Sequence, residues 1–126
     1  MSSKKPRKLA LTQAALASIN EIEQYSIENW GKKAAARDID DLEAGLIRIQ
    51  EQPDLLLPRP EFSSELCFYR VNKHLFVCDL QKASIIVLAV IHASQDIPER
   101  LAELEPTLAK EIELLHKKLQ AAERKR

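Results

Sequence analysis

The chain has 126 residues and a mass of 14.3 kDa, with 45% apolar and 30% charged residues. That is one domain's worth of sequence, apolar enough to fold without a metal or disulfide staples. Its 19 basic and 19 acidic residues cancel, which excludes nucleic-acid binding driven by overall charge, and two cysteines, Cys67 and Cys78, argue against a disulfide-rich secreted scaffold.

The cancellation hides an uneven distribution. Lys4, Lys5, Arg7 and Lys8 begin the chain; Lys117, Lys118, Arg124, Lys125 and Arg126 end it against Glu123, so residues 9–115 carry a net charge of −8. The tails read as solvated ends, or as contacts to an acidic partner. The apolar run Ile85–Ile91 is too short to cross a bilayer. The basic start is not followed by a long apolar segment, so no signal peptide is expected and the expected location is the cytoplasm.

Lys8 to Thr12 alternates and reads as an edge strand, with Thr12 as a helix N-cap. From Gln13 to Trp30, Leu16, Ile19, Ile22 and Trp30 fall near helical spacing, with Ala15 and Ser26 completing the stripe. Gly31 interrupts. Ala35, Ile39, Leu42, Leu46 and Ile49 then recur at steps of four and three, opposite Arg37, Asp40, Asp41, Glu43 and Arg48, until Pro53 stops the helix. The economical reading is a helical hairpin turning at Gly31.

Pro53, Pro58 and Pro60 make 53–64 an ordered, extended loop. The period then changes to two. Glu65–Val71 and His74–Leu80 read as strands, joined by a two-residue turn at Asn72–Lys73, because asparagine tolerates positive φ. That turn pairs Val71 with His74, Tyr69 with Phe76 and Cys67 with Cys78. The cysteines then share a face with Tyr69, Phe76 and Leu80, as packed thiols rather than a bridge. Ser84–His92, apolar on both faces, reads as a central strand. Asp96 caps a further helix, with Glu99 completing a box-like pattern, and Pro106 is expected to break or restart it. Leu108, Ile112, Leu115, Leu119 and Ala122 again step by four and three. This last helix should pack across the core or form a homodimer.

The side chains that could carry chemistry are few. Two cysteines and three histidines lack the paired spacing of a zinc site, and the two glycines, Gly31 and Gly45, cannot make a phosphate loop. No metal or other cofactor is expected. Cutting RNA needs a base, an acid and cations for the phosphorane. The sheet region offers Arg70, Lys73 and His74; the segment after it offers His92 and Arg100 but no tyrosine. That set is too sparse to assign a catalytic residue. His92, at a strand end, reads as bonding to backbone, and His74 and His116 as surface residues. Arg59 in the proline-stiffened loop, Arg70 on the hairpin and Lys73 at its turn are the candidate contacts to a partner or target. The plain alternative for the arginines is an ion pair with Glu61, Glu65 or Asp79.

The order strand, helix, Trp–Gly, helix, proline-rich loop, three strands, Ile–His–x–x–x–Asp resembles the ParE/RelE superfamily of bacterial toxins. The matching pieces are Leu11–Thr12; Ile22, Tyr25 and Trp30–Gly31; Ala34 to Leu46; Pro58–Arg59–Pro60–Glu61; Leu66 to Val77; and Val90–Ile91–His92 with Asp96. They span residues 7–100 and look closest to the ParE, or plasmid-stabilisation, branch. The resemblance implies an α+β fold, an antiparallel sheet of three to four strands against an N-terminal helical hairpin. Residues 1–98 would be the toxin domain and 99–126 an added C-terminal helix, with Trp30, His92 and Asp96 structural. It also implies an antitoxin encoded by an adjacent gene, docking by a helix or an added strand, and non-enzymatic action on DNA gyrase. The alternatives are a RelE-like ribosome-dependent mRNA endoribonuclease, or a degenerate, non-toxic member. No membrane partner and no sequence-specific DNA binding are expected. Two features depart from the pattern. Leu66–Cys67 stands where many relatives have Leu–Arg, and thirty residues follow Asp96 where such toxins usually end.

Overall fold

A computed structural model describes residues 7–124, excepting the side chains of 63–65, 105–109, 111, 116 and 119–124. Of the basic tails, Lys4, Lys5, Lys125 and Arg126 lie outside the described residues, as do the side chains of Leu108, His116, Leu119 and Ala122. β1 (Lys8–Leu11) leads into α1 (Gln13–Trp30) through Thr12, whose Oγ1 accepts the Ala15 N–H at 3.0 Å as an N-cap. Gly31, at φ 91°, turns α1 into α2 (Lys32–Glu51), a left-handed conformation that glycine takes without steric cost. Ser26 donates to Asp38 at 2.7 Å and bridges the two helices. After a 3-10 turn at Pro53–Leu55 come β2 (Leu57–Arg59), β3 (Ser63–Val71), β4 (His74–Leu80), β5 (Ser84–His92) and α3 (Ile97–Arg124).

The sheet has five strands in the order β1-β5-β4-β3-β2, and it is mixed rather than purely antiparallel. β1 runs parallel to β5, Lys8 opposite Ser84 and Leu11 opposite Val87. The fifth strand, β2, lies inside the proline-rich segment expected to be a loop, with Pro58 opposite Cys67. An edge strand tolerates proline because its missing N–H is not needed by a second neighbour. Between β3 and β4 the register is the one a two-residue turn dictates. Val71 faces His74, Tyr69 faces Phe76 and Cys67 faces Cys78; Asn72 has φ 54°, and both cysteines are free.

Each face of the sheet buries a core. One core gathers Val71, Phe76, Cys78, Ile85, Val87 and Val90 under Ala15, Leu42 and Ile49 of the helical hairpin. The other gathers Phe68, Leu75, Val77, Ile86, Leu88, Ala89 and Ile91, covered by Ile97, Leu101, Leu104, Ile112 and Leu115 of α3. Between Val77 and Cys78 the β4–β5 register slips by one residue, so Leu88 and Ala89 both face α3. Thr12 Oγ1 donates to the Leu88 carbonyl beside the bulge at 2.6 Å.

α3 therefore packs across the second sheet face, one of the two placements expected for it. It also runs through Pro106 without the expected break. The hydrogen bond that proline cannot donate would end on the carbonyl of Ala102, an exposed position open to solvent. On α1, Leu16 and Trp30 were expected in the buried stripe but are 49% and 72% exposed. The stripe meeting the sheet is Ala15, Ile19, Ile22 and Ser26. Leu16 sits about 100° round the helix from Ala15, and Trp30 lies beyond Ser26, at the turn.

Candidate functional site

The three cationic candidates do not form one patch. Arg59 pairs with the Ser63 end of β3, whereas Arg70 and Lys73 lie at its opposite end. Pro58, the chain neighbour of Arg59, faces Cys67, so about three residues of strand, roughly 10 Å, separate that end of β2 from Arg70. Arg59 is engaged locally: its guanidinium is 3.8 Å from Glu61 and 5.9 Å from the centre of the Phe62 ring. Arg70 Nε donates to the Asn72 carbonyl at 2.7 Å, bracing the turn.

The richer cluster is at the hairpin tip. Asn72 Nδ2 donates to Asp41 at 2.9 Å and fastens the turn to α2, leaving Arg70 and Lys73 exposed. His74, expected at the surface, is half-buried opposite His92 on β5, with ring centres 5.3 Å apart and edge to face. Burial, then the neighbouring His92, lower the His74 pKa; Asp38 opposes them, and Lys73 adds to the lowering. At His92, Nδ1 accepts the Ser94 N–H at 3.1 Å and lies 2.7 Å from Ser94 Oγ. Accepting at Nδ1 places the proton of the neutral ring on Nε2. Asp96 accepts the Glu99 N–H at 3.1 Å and caps α3. Two imidazoles can exchange a proton with a ligand, and the exposed lysine beside them can hold an anion. Periodicity did not point to His74's partner, because the meeting of the two depends on the bulged β4–β5 register.

The thiols are quiet. Burial pushes the Cys78 thiol far above its ordinary range, and burial and Asp79 raise that of Cys67, so neither is an activated nucleophile. Among the described residues, no group of three His, Cys, Asp or Glu side chains is placed to hold a metal ion, and no helix is long and apolar enough to cross a membrane.

A second surface lies on the outside of the helical hairpin. A shallow groove of about 470 Å³ is lined by Gln13, Leu16, Ile19, Asn20, Glu23 and Ile39. Tyr25 and Ile47 are also exposed, by 64% and 56%.

No curated protein sequence matches the chain. A solved structure described as the chromosomal ParDE TA system from P. aeruginosa shares the fold, with a TM-score of 0.62 at 14% identity; the match covers 70% of this chain and 97% of that one. The family described as the ParE toxin of type II toxin-antitoxin system, parDE, matches residues 9–97. That range takes in all but the first residue of β1, the helical hairpin and all of β2 to β5, stopping at the first residue of α3. The chain belongs to the ParE toxin family of type II toxin-antitoxin systems.

Proposed function

We propose that this ParE-type toxin acts in the cytoplasm by binding DNA gyrase, and that a cognate antitoxin from an adjacent gene neutralises it. The family match over the whole two-layer domain carries this reading. The hairpin tip supports it: Arg70 and Lys73 are exposed on a turn that Asp41 holds rigid, so binding there would order little backbone. Inducing the chain in a bacterium with and without its neighbouring gene tests both parts. Growth should stop only without the neighbour, with a DNA-damage response, and purified protein should inhibit gyrase supercoiling. Translational arrest with normal supercoiling would refute the gyrase assignment.

The endoribonuclease reading has one observation in its favour, the His74–His92 pair beside Lys73. It requires His92→Ala and His74→Ala to abolish mRNA cleavage in a translation extract while leaving the chain folded. Intact mRNA with the wild-type chain excludes it.

A further inference from the structure

The turn between α1 and α2 departs from three local rules at once. Trp30, the last residue of α1, is the most exposed of the large apolar side chains described. α2 opens on Lys32 and Lys33, with no acid in its first turn and no side-chain cap at Gly31. Cations at a helix N-terminus oppose the macrodipole, and Glu28, in the last turn of α1, opposes it at that end too. None of this helps the chain fold: an exposed indole buries little, and the charges weaken both helix ends. Such departures gather where a surface serves a purpose other than folding. The turn itself is firm. Gly31 N–H donates to the Ile27 carbonyl at 3.0 Å, and the Gly31 carbonyl accepts Ala35 N–H at 3.1 Å. Ser26 ties α1 to Asp38 of α2. Trp30 and the two lysines are thus held out on a rigid corner.

We propose that Trp30, Lys32, Lys33 and Arg37 anchor the toxin on its protein target, by fitting an apolar pocket rimmed with carboxylates. The proposal rests on the target-binding reading above and names the chemistry of that contact. Tryptophan is enriched among the residues that dominate binding, because it fills a pocket with few rotamers to freeze. Between residues 28 and 37, three cations stand against Glu28 alone, in a stretch of chain that is otherwise acidic. The acids that follow are engaged in the fold: Asp38 accepts from Ser26, and Asp41 from Asn72. No ion pair among the described residues engages Lys32, Lys33 or Arg37, and all three are exposed. Lys33, Arg37 and Asp41 recur at steps of four, so they share one face of α2 at intervals of about 6 Å. Asp41 is where the β3–β4 turn docks, so this face runs on to Arg70 and Lys73. A nucleic acid fits the corner less well. Its phosphates, one charge per about 1.7 Å of duplex, would also meet the acidic body around it, whereas a few carboxylates around one pocket meet only the corner.

The test uses the full chain, with Trp30→Ala, Trp30→Phe and Lys32→Glu/Lys33→Glu, in three assays: melting temperature, inhibition of gyrase supercoiling, and growth inhibition on induction. All three variants change exposed positions and should keep the wild-type melting temperature. Trp30→Ala and the double lysine variant should each be weaker by about thirtyfold in both inhibition assays, and Trp30→Phe should recover most of the loss. Binding of the wild type to gyrase should weaken with added salt more than binding of the double variant does. Variants that inhibit supercoiling and growth as well as wild type overturn the inference and leave the gyrase reading standing. Variants that lose growth inhibition, beside a wild type that leaves supercoiling untouched, overturn the gyrase reading and support the corner as the contact to another protein. A fall in melting temperature for Trp30→Ala, with full inhibition by the double lysine variant, makes Trp30 structural and overturns the inference. A DNA duplex bound by the wild type without gyrase, and released by the double variant, overturns the carboxylate pocket in favour of phosphate contacts. A wild type that affects neither supercoiling nor growth overturns both readings.

Discussion

Gly45 sits where α2 crosses the sheet, and its lack of a side chain sets the spacing between the two. A Cβ there would lie 2.6 Å from Val71 Cγ2 and 3.2 Å from Phe76 Cε2. Alanine favours a helix over glycine by about 1 kcal/mol, but overpacking a core costs about 1–3 kcal/mol, and the branched Val71 has few rotamers to retreat into. Gly45→Ala should therefore lower stability by about 1 kcal/mol in urea unfolding; a gain would mean that Val71 turns aside freely. His74 makes stability depend on pH. Above its ordinary pKa of 6.5 the ring is neutral in both states and costs nothing. As pH falls below that value the unfolded chain takes up a proton that the folded chain resists, and stability is lost until the lower folded pKa is passed. The melting temperature should fall more steeply between pH 7 and 5 for wild type than for His74→Gln; equal slopes would show that burial beside His92 leaves no energetic trace.

Elements differ in how plainly the sequence announced them. α2 was legible because its stripe keeps helical spacing over the whole helix, and the β3–β4 register because one asparagine at positive φ sets the turn. That turn gives the next prediction. Asn72→Val places a branched residue at φ 54° and removes the bond to Asp41, which should cost about 1–3 kcal/mol. Asn72→Gly should cost less, since glycine keeps the backbone free. Chemical denaturation of both variants measures the difference, and equal losses would count against backbone strain. β2 was hidden because proline disqualifies a strand only where both edges are paired. The parallel partner of β1 was hidden because nothing local in Lys8–Leu11 records a strand that follows so much later. Trp30 was misplaced because periodicity reports which way a side chain points, not where the sheet beneath it ends. The same limit applied at the candidate site. Arg70 and Lys73 could be placed on the hairpin, but the His74–His92 contact depends on a one-residue slip that no pattern displays.

At the scale of the whole molecule, two helical layers sandwich one sheet, and the hairpin tip projects a small cationic group from one end. Lys73 is exposed, and the contact described for it is its carbonyl's bond to Ala93 N–H, so its side chain can be altered without touching the core. Lys73→Glu should leave the melting temperature unchanged and weaken growth inhibition about tenfold, the effect of losing about 1.4 kcal/mol of charge complementarity at a target. Full toxicity in the variant would move the target-binding surface elsewhere, with the exposed groove beside Leu16 the next place to look.

The pairing of β1 with β5 also orders events during synthesis. Thr12 and Leu88, which tie the two strands together, are 76 residues apart in the chain. The ribosome must therefore release β5 before β1 has a neighbour at all, whereas the helical hairpin and the β3–β4 hairpin can close locally as they emerge. Until then the Thr12 hydroxyl has no Leu88 carbonyl to donate to and α1 has no fixed seat on the sheet. The first strand made therefore waits on the fifth, and only α3 follows that strand from the ribosome.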